Sequence, residues 1–293
     1  MRLDRVASVY LFHPILDVLH DRKRQIPILM YHSISECRGT RPHPYFDINT
    51  DITTFSSQMR HLADKKYLAL TLEDLPGWFQ SPEAKTRKAV VITFDDGYED
   101  FLTAAFPVLQ THGFTATVFL PTSRIGETSQ VIEGKRYLNW SHVSHLRRHG
   151  ILFGSHTATH PQLALLNQRQ IRYELDHSKT VLEGKLGEAI PCFSHPFAFP
   201  VENSKYKQYL KRILKECGYT RSVTTILGTA SSTSDLLFLP RIPVNRWDDI
   251  PLFTAKLDGA YNWVRGPQWM FKYLTSLRRS AKSNMSATYG NSS

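Results

Sequence analysis

The chain alternates short apolar runs with longer stretches whose apolar positions recur every three or four residues. Ala89-Val90-Val91-Ile92-Thr93-Phe94 is almost wholly apolar, which predicts a strand covered on both faces. Ile28-Leu29-Met30-Tyr31 and Ile151-Leu152-Phe153-Gly154 read the same way. Between them the pattern switches regularly: helix-like from Asp100 to Gly113, strand-like from Phe114 to Leu120, then a helix that Trp140 opens and Gly150 ends. That order predicts parallel βα units. Gln168 to Leu186 carries Ile171, Leu175 and Leu182 on one stripe, and Ser204 to Cys217 carries Tyr206, Leu210, Ile213 and Cys217 before the stop at Gly218. Phe253 to Leu277, with Phe253, Leu257, Tyr261, Val264, Phe271 and Leu274, reads as an amphipathic helix packed on the rest. Residues 280–293 are small and polar, and are expected to be disordered.

Length and composition suit this picture. With 293 residues and 41% hydrophobic content, the chain can bury one large α/β core, so a single domain is expected. The three cysteines, Cys37, Cys192 and Cys217, are odd in number and have no paired spacing, which fits a reducing compartment. His13, Pro14 and Asp17 interrupt the apolar stretch from Val6 to Leu19, and no small-residue cleavage site follows. Neither a signal peptide nor a membrane span is expected, and the reading is a cytoplasmic protein. A net charge of +10 and a pI near 9.5, clustered in part at Arg22-Lys23-Arg24 and Arg278-Arg279, suggest weak peripheral contact with anionic lipid at the inner membrane face. Nucleic acid is not an expected partner, because the charge is dispersed and no recognition motif is present.

Two strings carry candidate chemistry. Thr93-Phe94-Asp95-Asp96-Gly97-Tyr98 sets adjacent carboxylates at the end of a buried strand, and Ser155-His156-Thr157-Ala158-Thr159-His160 sets a His-x-x-x-His pair at the end of another. Neighbouring residues of a strand face opposite ways, so two carboxylates share a site only where the chain turns, and Gly97 offers that turn. His156 and His160 could share one face of a single helical turn, although Pro161 disfavours the α region at His160. A catalytic divalent cation takes about three protein ligands and keeps a position for water, whose proton a nearby base must accept. Asp96, His156 and His160 are the candidate ligands, and Asp95 is the candidate base.

Ile26 to Ile34, Thr93 to Tyr98, the Leu138-x-Trp140 stretch and Gly154 to Pro161 together resemble the polysaccharide deacetylases, the NodB-homology family of carbohydrate esterases. The resemblance runs from about residue 26 to 245. It implies a distorted parallel (β/α) barrel over 26–250, with its core at 88–245; an N-terminal segment 1–25 and a C-terminal helical extension 251–279, read from the apolar pattern, lie outside the family motifs. The implied reaction is hydrolysis of an acetamide on an N-acetylated sugar or polysaccharide, and a lipid-linked or nucleotide-linked sugar precursor as substrate would reconcile that reaction with the cytoplasmic reading. By matching position, Asp95 is the base and Asp96, His156 and His160 hold the metal. Zn²⁺ is the expected ion, and Ni²⁺, Co²⁺ or Mn²⁺ also suit a His₂-Asp set.

Later motifs depart from the common pattern. Where the family reads Arg-x-Pro-Tyr-Gly or Ser-Tyr-Pro-Tyr-Gly, this chain reads Ser194-His195-Pro196-Phe197-Ala198, closer to the exopolysaccharide-type branch. The resemblance gives the Phe197 N–H to the oxyanion, a task that needs no particular side chain. Ala198 in place of Gly is expected to strain the loop if that position takes positive φ. In place of the family's Leu-x-His stands Leu239-Pro240-Arg241. Arginine stays protonated, so Arg241 is expected to pair with Asp95 and keep it ionised rather than act as the acid. His195 and His32 are the candidate acids, and Trp140 is a candidate wall of the sugar pocket as well as a core residue. Two further functions remain open: hydrolysis of a non-sugar amide or cyclic imide at the same site, and glycan binding without turnover, which Ala198 and the missing Leu-x-His would allow.

Overall fold

The computed structural model describes residues 2–19, 25–36, 44 and 47–266. Eight parallel strands are its frame: β1 Ile28–Tyr31, β2 Leu68–Leu70, β3 Ala89–Phe94, β4 Thr117–Leu120, β5 Leu152–Ser155, β6 Cys192–Ser194, β7 Arg221–Leu227 and β8 Leu239–Pro243. Their spatial order is β1-β8-β7-β6-β5-β4-β3, and β3 pairs with β1 to close a seven-stranded ring. Closure leaves β2 outside. It pairs with the first half of one edge of β3, Ala89 to Val91, while β4 takes the second half, Thr93 and Phe94. The result is a distorted parallel (β/α) barrel, the fold class the resemblance implies.

Strand alternation sorts the apolar side chains into two populations. Leu29, Tyr31, Val90, Ile92, Phe94 and Val118 face out and join the cluster beneath the helices. Ile28, Val91, Phe119, Cys192, Val223 and Leu239 face in and fill the barrel. The inward face turns polar toward the carboxyl ends, where Thr93, Ser194 and Arg241 follow Val91, Cys192 and Leu239 on the same side. The interior is therefore a sealed apolar plug under a polar floor.

Helices cover the outside. Ile52–Asp64, Trp140–Arg148, Gln168–Leu186 and Ser204–Glu216 start at side-chain caps from Asp51, Asn139, Asn167 and Asn203, which bond the open amides of the first turn. Asn167 and Gln170 form a reciprocal capping box, and Gly187, at φ 69°, ends the long helix. The helix expected from Asp100 to Gly113 is shorter, a π-helical turn Phe101–Ala105 running into Phe106–Thr111. The strand expected from Phe114 begins at Thr117.

At the termini, one expectation changes and one segment gains a structure. The stretch read as an interrupted apolar segment is helical over Leu3–Ala7, Ser8–Phe12 and His13–Leu19, and it straps onto the last barrel helix through Arg2–Asp248 and Arg5–Asp249. That last helix spans Ile250–Leu257 and breaks at Gly259, φ 81°, before a short turn at Asn262–Val264, so no continuous helix runs on from Phe253. Phe271, Leu274, Arg278-Arg279, Arg22-Lys23-Arg24, Cys37 and the 280–293 tail lie outside the described residues. No helix among the described residues is long and apolar enough to cross a membrane.

Candidate functional site

The site is built where β3, β5, β6 and β8 end. Asp95 continues the ladder beyond β3, its N–H donating to the Tyr31 carbonyl at 3.0 Å. Asp96 then adopts φ 73° and Gly97 φ 69°, two left-handed residues in succession that swing the second carboxylate to the side of the first. Only glycine tolerates the second position, where a Cβ would meet Leu120 Cδ2 at 2.5 Å.

The histidine pair does not sit on a helical turn. Thr157 and His160 take φ 70° and 61°, so the segment is a loop, consistent with the bias that Pro161 places on the residue before it. The loop is pinned from below by Glu174 of Gln168–Leu186. Its carboxylate accepts from the Thr159 N–H at 2.8 Å and from Thr159 Oγ1 at 2.7 Å, and its carbonyl accepts from the Ala158 N–H at 3.1 Å. His160 N–H donates to Thr157 Oγ1 at 3.0 Å. Of the six non-glycine residues with positive φ among the described residues, four (Asp96, Thr157, His160 and Phe197) surround this site. Backbone strain concentrates where side chains must be aimed.

The outcome is convergence. Asp96 Oδ1 lies 3.5 Å from His156 Nε2 and 3.2 Å from His160 Nε2, and one ligand atom from each residue lies within 4.8 Å of the others. His156 Nδ1 donates to the Ser194 carbonyl at 2.8 Å, which fixes the tautomer and leaves Nε2 facing Asp96. Two imidazole nitrogens and one carboxylate, with the buried imidazole oriented from behind, fit a divalent cation of the Zn²⁺ type. Burial opposes charge on Asp96, yet its bonds to His156 and His160 hold its carboxyl well below the usual range. Burial lowers His160, and it would lower His156 were the Asp95 and Asp96 carboxylates not there to raise it.

Asp95 is held by Arg241 in a two-pronged pair, Nη1 to Oδ1 at 2.8 Å and Nη2 to Oδ2 at 2.7 Å, and the guanidinium is fully buried. The remaining Arg241 donors reach Thr224 O at 3.0 Å, Ser194 Oγ at 3.0 Å and Thr93 Oγ1 at 3.2 Å. Burial pushes Asp95 up, but Arg241 and then His156 outweigh it and bring the carboxyl down to about 2. His32 Nε2 stands 4.0 Å from Asp95 Oδ2, with its pKa lowered by burial.

His195 does not join this group. Ser194 faces inward to Arg241, so the next side chain faces out: His195 Nε2 bonds Tyr206 Oη at 2.8 Å, and its ring packs edge-on against Phe199. Trp140 is core rather than pocket wall, 8% exposed in the main outer cluster, with Lys185 Nζ over its ring. Phe197 is 47% exposed, and its ring centre lies 4.8 Å from that of His160. The Phe197 N–H has no hydrogen-bond partner among the described residues. The left-handed residue of this loop is Phe197, φ 57°, and not Ala198, so the alanine carries none of the strain expected of it.

Several contributors have no assigned role in the sequence analysis. Glu174, Ser194 and Thr93 act through contacts that only the folded chain creates. Tyr98, whose phenol is pushed up by burial and by Asp96, packs at a tilt against Tyr137, ring centres 5.1 Å apart, on a segment that folds back over the carboxylate turn with Leu138 N–H bonded to Gly97 O at 2.9 Å. A cavity of about 430 Å³, lined in part by Phe12, Ile26, Trp78 and Trp263, lies at the opposite end of the barrel, and no residue of this site lines it.

The family model for polysaccharide deacetylases matches residues 82–222. The chain is 29% identical over 241 residues to the polysaccharide deacetylase homologue YxkH of Bacillus subtilis, spanning 82% of this chain and 77% of that protein. It is 30% identical over 128 residues to a peptidoglycan-N-acetylglucosamine deacetylase of Bacillus cereus, spanning 43% and 41% of the two. Its fold is similar to that of the Streptococcus pyogenes deacetylase PplD, solved with acetate (TM-score 0.66, 24% identity, 80% of this chain and 98% of that one). A polysaccharide deacetylase from Bacillus cereus gives a TM-score of 0.63 at 25% identity, with 80% and 69% covered.

Proposed function

We propose that this chain, which belongs to the polysaccharide deacetylase family, is a metal-dependent hydrolase that removes N-acetyl groups from an N-acetylated glycan or lipid-linked sugar precursor. The observation that carries the reading is the convergence of Asp96, His156 and His160 beside a carboxylate, Asp95, that Arg241 holds ionised.

A divalent cation held by Asp96, His156 and His160 supplies Lewis acidity toward the acetamide carbonyl and a water of lowered pKa. Asp95 accepts the proton of the attacking water. A carboxylate at about 2 is a weak base, so Arg241 fixes its position and charge at the expense of basicity. The Phe197 N–H donates to the oxygen that becomes negative when water adds to the carbonyl carbon. His32, whose Nε2 stands 4.0 Å from Asp95 Oδ2, takes the water's proton from Asp95 and delivers it to the sugar nitrogen as the C–N bond breaks, releasing acetate and a free amine. His195 is withdrawn from that role by its bond to Tyr206.

The test is acetate release from acetylated oligosaccharides, before and after chelation and Zn²⁺ return. Chelation should abolish turnover, and Asp95→Asn should lower kcat by roughly 10²–10⁴-fold, the range for a positioned base. Equal rates from Asp95→Asn and wild type would remove the base from Asp95. Glycan binding without acetate release from the metal-loaded wild type would favour a non-catalytic protein, a reading that loses one of its two motives because Ala198 is unstrained.

A further inference from the structure

We infer that Arg124 recognises an anionic group on the substrate, a carboxylate or phosphate carried close to the acetamide, and so selects acidic over neutral glycans. The inference rests on the deacetylase reading for where the acetamide lies, but its evidence is separate.

Arg124 ends a short turn, Thr122–Arg124, immediately after β4. That turn is bonded to the metal-site loop itself: the Thr122 N–H donates to Thr157 O at 3.2 Å and the Ser123 N–H to Ala158 O at 2.9 Å, two carbonyls that lie between His156 and His160. Arg124 is half-buried, with its guanidinium carbon 5.4 Å from the centre of the Tyr137 ring, and Tyr137 packs on Tyr98 beside the carboxylate turn. Among the described residues, its side chain makes one hydrogen bond, from Nη1 to Tyr137 Oη at 2.5 Å, and no ion pair. Five N–H donors and a full charge thus meet one neutral phenol.

The carboxylates of the cleft are already committed. Asp95 is bound in two-pronged fashion by Arg241, and Asp96 is shared between two imidazoles. Glu174 is taken up by Thr159. Lys135, the other cation over the Tyr98–Tyr137 pair, makes an instructive contrast: it bonds Ser33 Oγ at 2.9 Å, and its charge is felt by Asp100, so it is balanced from within. Arg124 has no such counterpart. A half-buried arginine on the turn that braces the metal-site loop gains most when an anion meets it, and its planar fork suits carboxylate and phosphate oxygens. The nearest anion still to be supplied is the substrate's own.

Three ligands sharing one acetylated sugar decide the matter: a neutral N-acetylglucosamine oligomer, the same oligomer bearing a carboxylate ether, and a sugar linked through phosphate. Binding is measured calorimetrically on the metal-free chain, and acetate release on the Zn²⁺-loaded one. Wild type should prefer an anionic ligand by roughly tenfold to a hundredfold, the range for a hydrogen bond to a charged group. The preference should weaken with salt. Arg124→Gln should bring the ratio near unity, Arg124→Glu should reverse it, and Arg124→Lys should keep part of it. The arm that shows the preference tells carboxylate from phosphate. Equal binding of all three by wild type, or a preference that survives Arg124→Gln with an unchanged thermal midpoint, overturns the inference. If no ligand releases acetate, the deacetylase reading falls, and the binding ratios still decide this one.

Discussion

At the scale of single residues, the decisive contact is the buried pair of Asp95 and Arg241. Each is an uncomfortable guest in a barrel interior, and each is tolerable because the other is there, with Thr93, Ser194 and the Thr224 carbonyl absorbing the spare donors. Arg241→Met removes the cation and leaves the carboxylate buried without its partner. The expected cost is about 3–5 kcal/mol in urea unfolding, and Asp95→Asn added to the same background should restore part of it. An Arg241→Met variant within about 0.5 kcal/mol of wild type would show the pair to be dispensable for folding. The adjacent carboxylates, the His-x-x-x-His spacing and Arg241 are all visible in the sequence. Aim is not: nothing in the string Ser194-His195-Pro196 says which imidazole face a strand of that register presents, and the structure commits His195 to Tyr206. Trp140 teaches the same lesson, since aromatic identity is compatible with both a sugar platform and a core, and only the helix it starts, buried against the barrel, decides between them.

At the scale of elements, glycine shows how position sets the sign of one substitution. Gly154 lies within β5, where a Cβ would meet the Phe119 ring at 2.5 Å and the Cys192 carbonyl at 3.0 Å, all of it in the packed barrel interior. Gly154→Ala should destabilise by about 1–3 kcal/mol as Phe119 is forced off its place. Gly184 lies within the helix Gln168–Leu186 with nothing within 4 Å of a Cβ, and Gly184→Ala should stabilise by roughly 0.5–1 kcal/mol. Denaturation midpoints that move the same way for both would contradict this packing. The strands were readable because a parallel barrel buries both faces, so that Ala89–Phe94 has no polar period to confuse it. Elements outside that logic were harder. The expected helix from Phe253 keeps its apolar spacing past Leu257, yet Gly259 at φ 81° turns the chain, because tertiary contacts with Asp248 and the N-terminal strap reward a break that periodicity cannot register. The left-handed residues of the site loops are equally silent in sequence, being aspartate, threonine, histidine and phenylalanine rather than glycine.

At the scale of the whole molecule, carboxylates far from the site tie helix ends and loops to the frame, and acid should undo them together. Asp51 caps Ile52–Asp64, accepting from the Thr54 N–H at 2.8 Å and Thr53 Oγ1 at 2.6 Å. Asp249 caps Ile250–Leu257 and holds Arg5 of the N-terminal strap, and Glu183 joins Lys179 and the Ile190 N–H. Burial opposes charge on each, and the hydrogen bonds outweigh it, so all three carboxyls sit below their usual values. A carboxyl depressed in the fold binds protons less readily there than in the unfolded chain. Its contribution is present above the unfolded value, near pH 4, and is lost as pH falls through the folded one. Asp100, raised by burial, works the other way and offsets part of the loss. The groups are partly exposed, so each contributes little, but Asp95 and Asp96, depressed within the site, act in the same direction. The thermal midpoint should therefore fall as pH drops below about 4, and Asp51→Asn should lower it at neutral pH while flattening the acid slope. A midpoint unchanged down to about pH 3 would mean that these caps and straps do not hold the barrel's periphery in place.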